Sequence, residues 1–80
     1  MAAKRNPYLR PFSGEPFRYS PVMPGIETRS GRYLVMTEDR EAGRICLDVA
    51  ETEQAADIIR SRLSQHVTKP LRQKCWIEVR

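Results

Sequence analysis

Long hydrophobic runs are missing from this sequence. The longest run of apolar side chains is Tyr33-Leu34-Val35-Met36, whereas a membrane-spanning helix needs roughly 18 or more apolar residues in succession. The basic residues at the amino terminus are not followed by the apolar segment that a secretory signal contains. We therefore expect a soluble, cytoplasmic protein that makes no membrane contact.

Residues that carry catalytic or metal chemistry are also scarce. The chain has one histidine, His66, and two cysteines, Cys46 and Cys75. These three lack the paired short spacing of structural zinc sites, and no local pattern joins a cysteine to a histidine and an orienting acid. The four glycines are too scattered for a phosphate-binding loop. We expect no enzymatic activity, no cofactor, no metal, and two buried, reduced thiols.

Acidic residues are fewer than basic ones. Lys plus Arg is 14 and Asp plus Glu is 10, which gives a formal net charge of +4. This excess favours acidic partners but is too small to identify a nucleic-acid-binding protein by itself. Most of it lies in residues 1–24, whose charged side chains are Lys4, Arg5, Arg10, Glu15 and Arg18.

The first 24 residues differ in composition from the rest. They hold five of the six prolines and four of the six aromatic residues. Prolines every three to five residues exclude a helix and a central strand. We predict an extended basic arm over residues 1–24, with one short edge strand near residues 17–19, followed by a single folded domain over residues 25–80.

The pattern of residues 25–80 predicts three strands and one helix. Two runs of strand-forming residues flank a polar loop that ends in glycine, which is typical of a β-hairpin. Thr52 stands at the N-cap position of the helix that follows. The predicted elements, in chain order, are strand 32–38, loop 39–43, strand 44–49, helix 53–66 and strand 74–80.

A right-handed crossover through the helix places the last strand beside the first. The predicted fold is therefore α+β, a small ββαβ domain whose three-stranded mixed sheet has the spatial order 2-1-3, with the helix on one face. The side chains expected to face the helix are Leu34, Met36, Ile45, Leu47, Val49, Ile58, Ile59, Leu63, Ile77 and Val79.

The opposite sheet face has two interpretations. By alternation it carries Tyr33, Val35, Cys46 and Trp76, which is too apolar to leave exposed without a function. In the first interpretation the arm folds back and completes a second small core. The arm side chains that would cover the face are Phe12, Phe17 and Tyr19. In the second, Tyr33 and Trp76 stay partly exposed and contact a partner.

We expect a chain of this size without catalytic residues to act by binding a partner or by forming part of a structure. Our main hypothesis is a small modulator, inhibitor or adaptor that docks on a larger protein assembly, including assemblies that handle nucleic acid, since Trp, Tyr and Arg are enriched at interface hot spots. In size and simplicity, though in no motif, the chain is similar to small phage-encoded inhibitors such as anti-CRISPR proteins. The residues predicted to contact a partner are Lys4, Arg5, Arg10, Arg18, Arg32, Tyr33, Arg44 and Trp76.

Two other hypotheses stay open. The basic arm and the aromatic sheet face would together bind single-stranded nucleic acid, with bases stacked on the rings and arginines on phosphates. The basic side chains added for this purpose are Arg72 and Lys74. Alternatively, the last strand or the arm strand lies at a sheet edge and pairs with a second copy, so that the protein is a monomer or a homodimer.

Overall fold

Two short strands from the arm and three longer strands form one sheet in the computed structural model, which describes residues 6–66 and 75–80. The elements, in chain order, are β1 Leu9–Pro11, β2 Arg18–Tyr19, a 3-10 helix Ile26–Thr28, β3 Tyr33–Asp39, β4 Gly43–Ala50, α1 Glu53–His66 and β5 Cys75–Val79.

The sheet has the strand order β1-β5-β3-β4-β2. β3 pairs antiparallel with β4 and β5, whereas β1 pairs parallel with β5 and β2 pairs parallel with β4. The predicted α+β class, with one helix and a mixed sheet, is confirmed for the described residues. The predicted count of three strands is wrong, because the arm adds one short strand at each edge. The last strand, β5, is consequently not an edge strand.

Backbone hydrogen bonds explain how a proline-rich segment joins the sheet as β1. The Tyr8 carbonyl accepts a bond from the Ile77 amide at 2.8 Å, and the Phe12 amide donates to the Val79 carbonyl at 3.1 Å. Pro11 lies between these positions, where the backbone nitrogen of an edge strand points away from its neighbour. Its missing N–H group therefore does not interrupt the pairing.

The arm covers one face of the sheet and the helix covers the other. β1 and β2 lie at opposite edges, so residues 12–17 cross the face that we call the arm face. Phe17 and Tyr19 pack there against a buried cluster that includes Trp76. The predicted covering of this face by Phe17 and Tyr19 is confirmed, whereas Phe12 lies outside the cluster and is 36% exposed. β2 confirms the edge strand predicted near residues 17–19. The boundary placed between residues 24 and 25 stays a prediction.

The two faces bury different side chains from those expected for β3. Leu34 and Met36 belong to the arm-face cluster, while Val35 and Tyr33 belong to the face against α1, which we call the helix face. The expectation that Leu34 and Met36 face the helix is therefore wrong. Leu34, Val35 and Met36 are each 0% exposed, so both faces of this strand are buried. A strand buried on both faces carries no alternation of polar and apolar residues to show which face meets the helix.

A β-bulge changes the side-chain order of β4. Val35 pairs with Asp48 and the next residue of β3 pairs with Cys46, which leaves Leu47 without an opposite residue. The extra residue shifts the alternation, so that Cys46 and Val49 both face the arm although they are three positions apart. The expectation that Val49 faces the helix is therefore wrong, whereas Leu47 packs on the helix face as expected.

The helix has its predicted bounds, Glu53–His66. The Thr52 hydroxyl accepts a hydrogen bond from the Ala55 amide at 3.1 Å, which confirms the predicted N-cap. The buried stripe is centred on Ala56 rather than Ile58, whose side chain is 55% exposed, so Ile58 is not a core residue. No helix of residues 6–66 and 75–80 combines the length and the apolar character needed to cross a membrane.

Gly31 allows the chain to pass close to the end of β4. Its φ angle is 155°, and a Cβ atom placed on it would lie 2.4 Å from the carbonyl oxygen of Ala50 and 2.9 Å from a methyl group of Val49. We expect Gly31→Ala to lower the free energy of unfolding by about 1–3 kcal/mol, as strained backbone and overpacked sites do.

Urea unfolding of the Gly31→Ala variant measures this loss. Gly14→Ala is the matched control, because Gly14 also has a positive φ angle, 76°, but a Cβ atom added there would have no atom of another described residue within 4 Å. In the control, the free energy of unfolding should fall only by the amount that the positive φ angle costs an alanine. Equal losses in the two variants would contradict a role for close approach at Gly31.

Candidate functional site

A cleft of about 820 Å³ opens on the arm face between β1 and the β3–β4 hairpin. We call it the arm cleft. Three residues predicted to contact a partner meet here, although they come from β1, β4 and β5. The strand order places β1 beside β5 and separates β5 from β4 by one strand only, β3. Its charged and aromatic lining consists of Arg10, Glu38, Arg40, Arg44, Trp76 and Glu78.

Trp76 forms the floor of the arm cleft and belongs to the core. It is only 7% exposed, and its indole Nε1 donates a hydrogen bond to Glu78 Oε2 at 2.7 Å. The guanidinium carbon of Arg10 lies 4.8 Å from the centre of the Trp76 ring, which is cation–π distance. The expectation of a partly exposed Trp76 is wrong, because the arm and Arg10 cover the ring.

Arg44 fastens the arm to the sheet. Its guanidinium donates to the Glu78 carboxylate and to the backbone carbonyl of Glu15, and it lies 5.5 Å from the Phe17 ring centre. The side chains of Arg44 and Glu78 are only 13% and 6% exposed. Arg44 was predicted to contact a partner; in this fold both terminal guanidinium nitrogens donate to groups of the protein itself.

Arg10 and Arg40 supply the free positive charge of the arm cleft. Both are exposed, and no carboxylate of residues 6–66 and 75–80 forms an ion pair with either. Arg44 and Glu78 neutralise each other inside the cleft, and Glu38 contributes one exposed carboxylate at its rim. The mouth of the cleft therefore carries a surplus of one positive charge.

The other predicted contact residues lie away from the arm cleft. Tyr33 is half-buried on the helix face, so the expectation that it shares a face with Trp76 is wrong. The Arg32 Nε donates to the carbonyl of the last residue at 3.4 Å, and Arg18 lies exposed on β2. Four predicted basic contacts lie outside the described residues: Lys4, Arg5, Arg72 and Lys74.

A second cavity, of about 690 Å³, lies on the helix face beside the first turns of α1. The Arg60 guanidinium sits 3.8 Å from the ring centre of Tyr8 and pairs with Asp57 at 3.2 Å. The remaining acids of its lining, Glu51 and Glu53, match the positive end of the helix dipole. Helix stabilisation accounts for the charges of this cavity.

Both cysteines are buried, as predicted, and neither Cys46 nor Cys75 forms a disulfide. Burial raises the pKa of the Cys46 thiol to about 11, so this group stays protonated at neutral pH. Among the residues that the structure describes, no three Cys, His, Asp or Glu side chains come together as a metal site would require.

Arg40 and Glu38 were missed as site residues. In the sequence they belong to a polar hairpin, which is most often a solvated turn. Their place beside Arg10 depends on the pairing of β1 with the side of β5 opposite to β3, and no local pattern signals that contact.

No known protein family, curated protein or solved structure matches this chain. The function must therefore be inferred from its own residues.

Proposed function

We propose that the protein is a small, non-enzymatic binding protein that docks on a surface of a larger protein assembly where an acidic side chain is exposed, and so acts as its inhibitor or adaptor. The observation that carries this proposal is the pair of exposed arginines at the mouth of the arm cleft, Arg10 and Arg40, which have no carboxylate partner among the described residues. We place the protein in the cytoplasm, where two buried cysteines that form no disulfide stay reduced.

An exposed aromatic residue lies in sequence between Pro11 and Ser13, which line the arm cleft. This residue, Phe12, remains 36% exposed, although its ring lies edge-on to that of Phe17 with 6.3 Å between the ring centres. Arginine and aromatic side chains on a rigid element are the residue types that dominate binding energy at protein interfaces. Arg10 lies on a strand and rests on a buried indole, so little side-chain entropy is lost when it binds.

Proton transfer is not part of the proposed mechanism. The one buried carboxylate of the arm cleft, Glu78, already accepts bonds from Arg44 and Trp76. Its role is to hold the floor of the cleft in place. Binding of single-stranded nucleic acid by base stacking is less well supported, because Trp76 is buried and Arg10 occupies a face of its ring.

The proposal predicts that reversing the charge at the cleft mouth removes partner binding without unfolding the protein. The tagged protein and its Arg10→Glu/Arg40→Glu variant are used to capture proteins from a lysate of the source cells, with and without nuclease. Wild type should retain a nuclease-resistant protein that the double variant loses. Rim charges of this kind change association strongly, and the captured complex should weaken as salt is raised.

The matched control is Arg62→Glu, which reverses an exposed arginine of α1 outside the arm cleft. It should capture the same protein as wild type. If the control loses the partner equally, net charge rather than the cleft drives binding and the proposal is wrong. Loss of all captured protein after nuclease treatment would instead favour the nucleic-acid hypothesis.

A further inference from the structure

One arginine of the arm cleft, Arg10, is positioned to form an ion pair with a partner. Arg10 pairs in register with Glu78 across the β1–β5 ladder, and its guanidinium lies over Trp76 at 4.8 Å. The indole is itself held by the hydrogen bond from its Nε1 to Glu78. Guanidinium N–H groups radiate in the plane of the group, so a guanidinium held against a ring still offers its edge to an acceptor.

From this geometry we infer that the arm cleft recognises a single carboxylate side chain of the partner, bound by the edge of Arg10 while Trp76 holds the guanidinium in place. This inference rests on the proposed docking function and names the group that is recognised. Arg10 is then the residue that determines specificity, and Arg40 supplies a second positive charge at the mouth.

One negative charge is enough to neutralise the net positive charge at the mouth of the arm cleft. Arg44 and Glu78 form a closed pair, so the charges left at the mouth are those of Arg10, Arg40 and Glu38. Their sum is one positive charge, which a single carboxylate neutralises. A second negative charge in the same space would face the Glu38 carboxylate without a cation to balance it.

The hairpin beside the cleft disfavours a polyanion. Glu38, Asp39 and Glu41 are all exposed there. Backbone hydrogen bonds from Ala42 and Glu41 lower the pKa of Asp39, so this carboxylate stays ionised at neutral pH. A nucleic-acid strand that placed one phosphate on Arg10 would bring further phosphates against these carboxylates, whereas an isolated acidic side chain would not.

Glu78 is a carboxylate of the arm cleft that is already bound by a guanidinium. Glu78 is held by the Arg44 guanidinium and by the Trp76 indole N–H. Charge-assisted bonds from a planar guanidinium to a planar carboxylate are strong and directional. A partner carboxylate on Arg10 would repeat this pairing on the open side of the cleft, without displacing a contact of the core.

Two small anions test the inference on the full chain. N-acetylglutamate α-amide carries one side-chain carboxylate, and dimethyl phosphate carries the single charge of a nucleic-acid phosphodiester. Each is titrated at constant ionic strength while proton–nitrogen NMR follows the Trp76 indole N–H and the Arg10 Nε–H. We expect saturable shifts with the glutamate compound, at a dissociation constant on the order of 10 mM, and weaker binding of dimethyl phosphate.

Variants identify the residue responsible. Arg10→Lys keeps the charge but loses the planar edge, and we expect it to weaken carboxylate binding roughly tenfold. Arg62→Lys, on the exposed face of α1, should bind as wild type does. The backbone amide spectrum checks that Arg10→Lys keeps the fold, and the comparison of the two anions on wild type decides the question even if it does not.

Three results would overturn the inference: no saturable shift with the glutamate compound, equal or tighter binding of dimethyl phosphate, or unchanged binding by folded Arg10→Lys. None of them alone refutes docking on a protein. If the Arg10→Glu/Arg40→Glu variant still loses a nuclease-resistant partner, the proposed function stands and only the carboxylate assignment fails. If the anion binds but no partner is captured, the proposed function fails instead.

Discussion

Arg44→Met is expected to lower the free energy of unfolding by about 3–5 kcal/mol, because it leaves the Glu78 carboxylate buried without its cation. Stabilities of roughly 0.05–0.15 kcal/mol per residue are usual, so this loss would remove much of the stability of an 80-residue chain. The same substitution also removes the donor to the Glu15 carbonyl and the contact with Phe17. The arm should therefore loosen as the domain is destabilised.

Urea unfolding followed by Trp76 fluorescence measures the effect of Arg44→Met. Arg60→Met is the matched control, because the Arg60 side chain is equally buried, at 14% exposure, but its partner Asp57 is 47% exposed. Solvent-exposed helix pairs contribute only about 0.3–0.5 kcal/mol, so the control should lose much less. An equal loss in both variants would show that burial of the arginine chain, and not the ion pair, is responsible.

A double variant separates the charge from the packing. Arg44→Met/Glu78→Gln removes the uncompensated charge while an oxygen remains to accept the Trp76 N–H. We expect it to be more stable than Arg44→Met alone, since deleting both members of a buried pair costs less than deleting one. A double variant no more stable than the single one would place the loss in the contacts with Glu15 and Phe17.

Trp76→Ala is expected to destabilise the domain by about 3–5 kcal/mol, as large-to-small substitutions of buried aromatic residues do. The ring packs on the arm face beside Ile26, Leu34 and Met36, and its Nε1 bonds to Glu78. Trp76→Phe keeps most of the packing and loses the hydrogen bond, so its cost should be smaller, about 1–3 kcal/mol.

Thermal unfolding followed by far-ultraviolet circular dichroism measures both variants, since Trp76 is the only tryptophan of the chain. Phe12→Ala is the control, because Phe12 is an aromatic residue of the arm that is 36% exposed. A folded Trp76→Ala protein with unchanged thermal stability and lost partner binding would show that Trp76 acts at an interface. Destabilisation well beyond that of Phe12→Ala would place it in the core.

These two predictions bear on how the arm contributes to function. The arm is held to the sheet by strand pairing and by Arg44, and its residues Arg10, Pro11 and Ser13 line the arm cleft. Substitutions that loosen the arm should therefore weaken binding indirectly. For this reason the binding experiments use Arg10 and Arg40, since Arg44 and not these two side chains makes the hydrogen bonds that fasten the arm to the sheet.

The elements of residues 25–80 were predictable because their signals are local. The hairpin was indicated by two strand-forming runs around a polar loop ending at Gly43, and the helix by Thr52 and the repeat that follows it. Both were found where predicted, within about one residue at the strand ends. The exception within the helix is Ile58, which was expected to be buried but is exposed. A buried stripe that contains Ala56 instead of Ile58 satisfies helical spacing equally well.

The candidate site was predictable only in part. Arg10, Arg44 and Trp76 were named from residue type and do line one cleft, but their individual roles depend on burial. Arg44 and Trp76 hold the cleft together, whereas Arg40, which was not named, is exposed at its mouth. Residue type indicates which side chains are suited to binding, but it does not show which of them the fold leaves accessible.

By itself, the sequence determined the α+β class, the hairpin, the capped helix and the need to cover a second apolar face, because each follows from contacts between near neighbours in the chain. The tertiary structure alone decided the number of strands, the face that each residue of β3 and β4 occupies, and the arm cleft. These depend on a bulge, on a central strand buried on both sides, and on pairing between the arm and strands more than 25 residues away in sequence. Such long-range contacts are selected by the free energy of the whole packed sheet, and local patterns do not encode them.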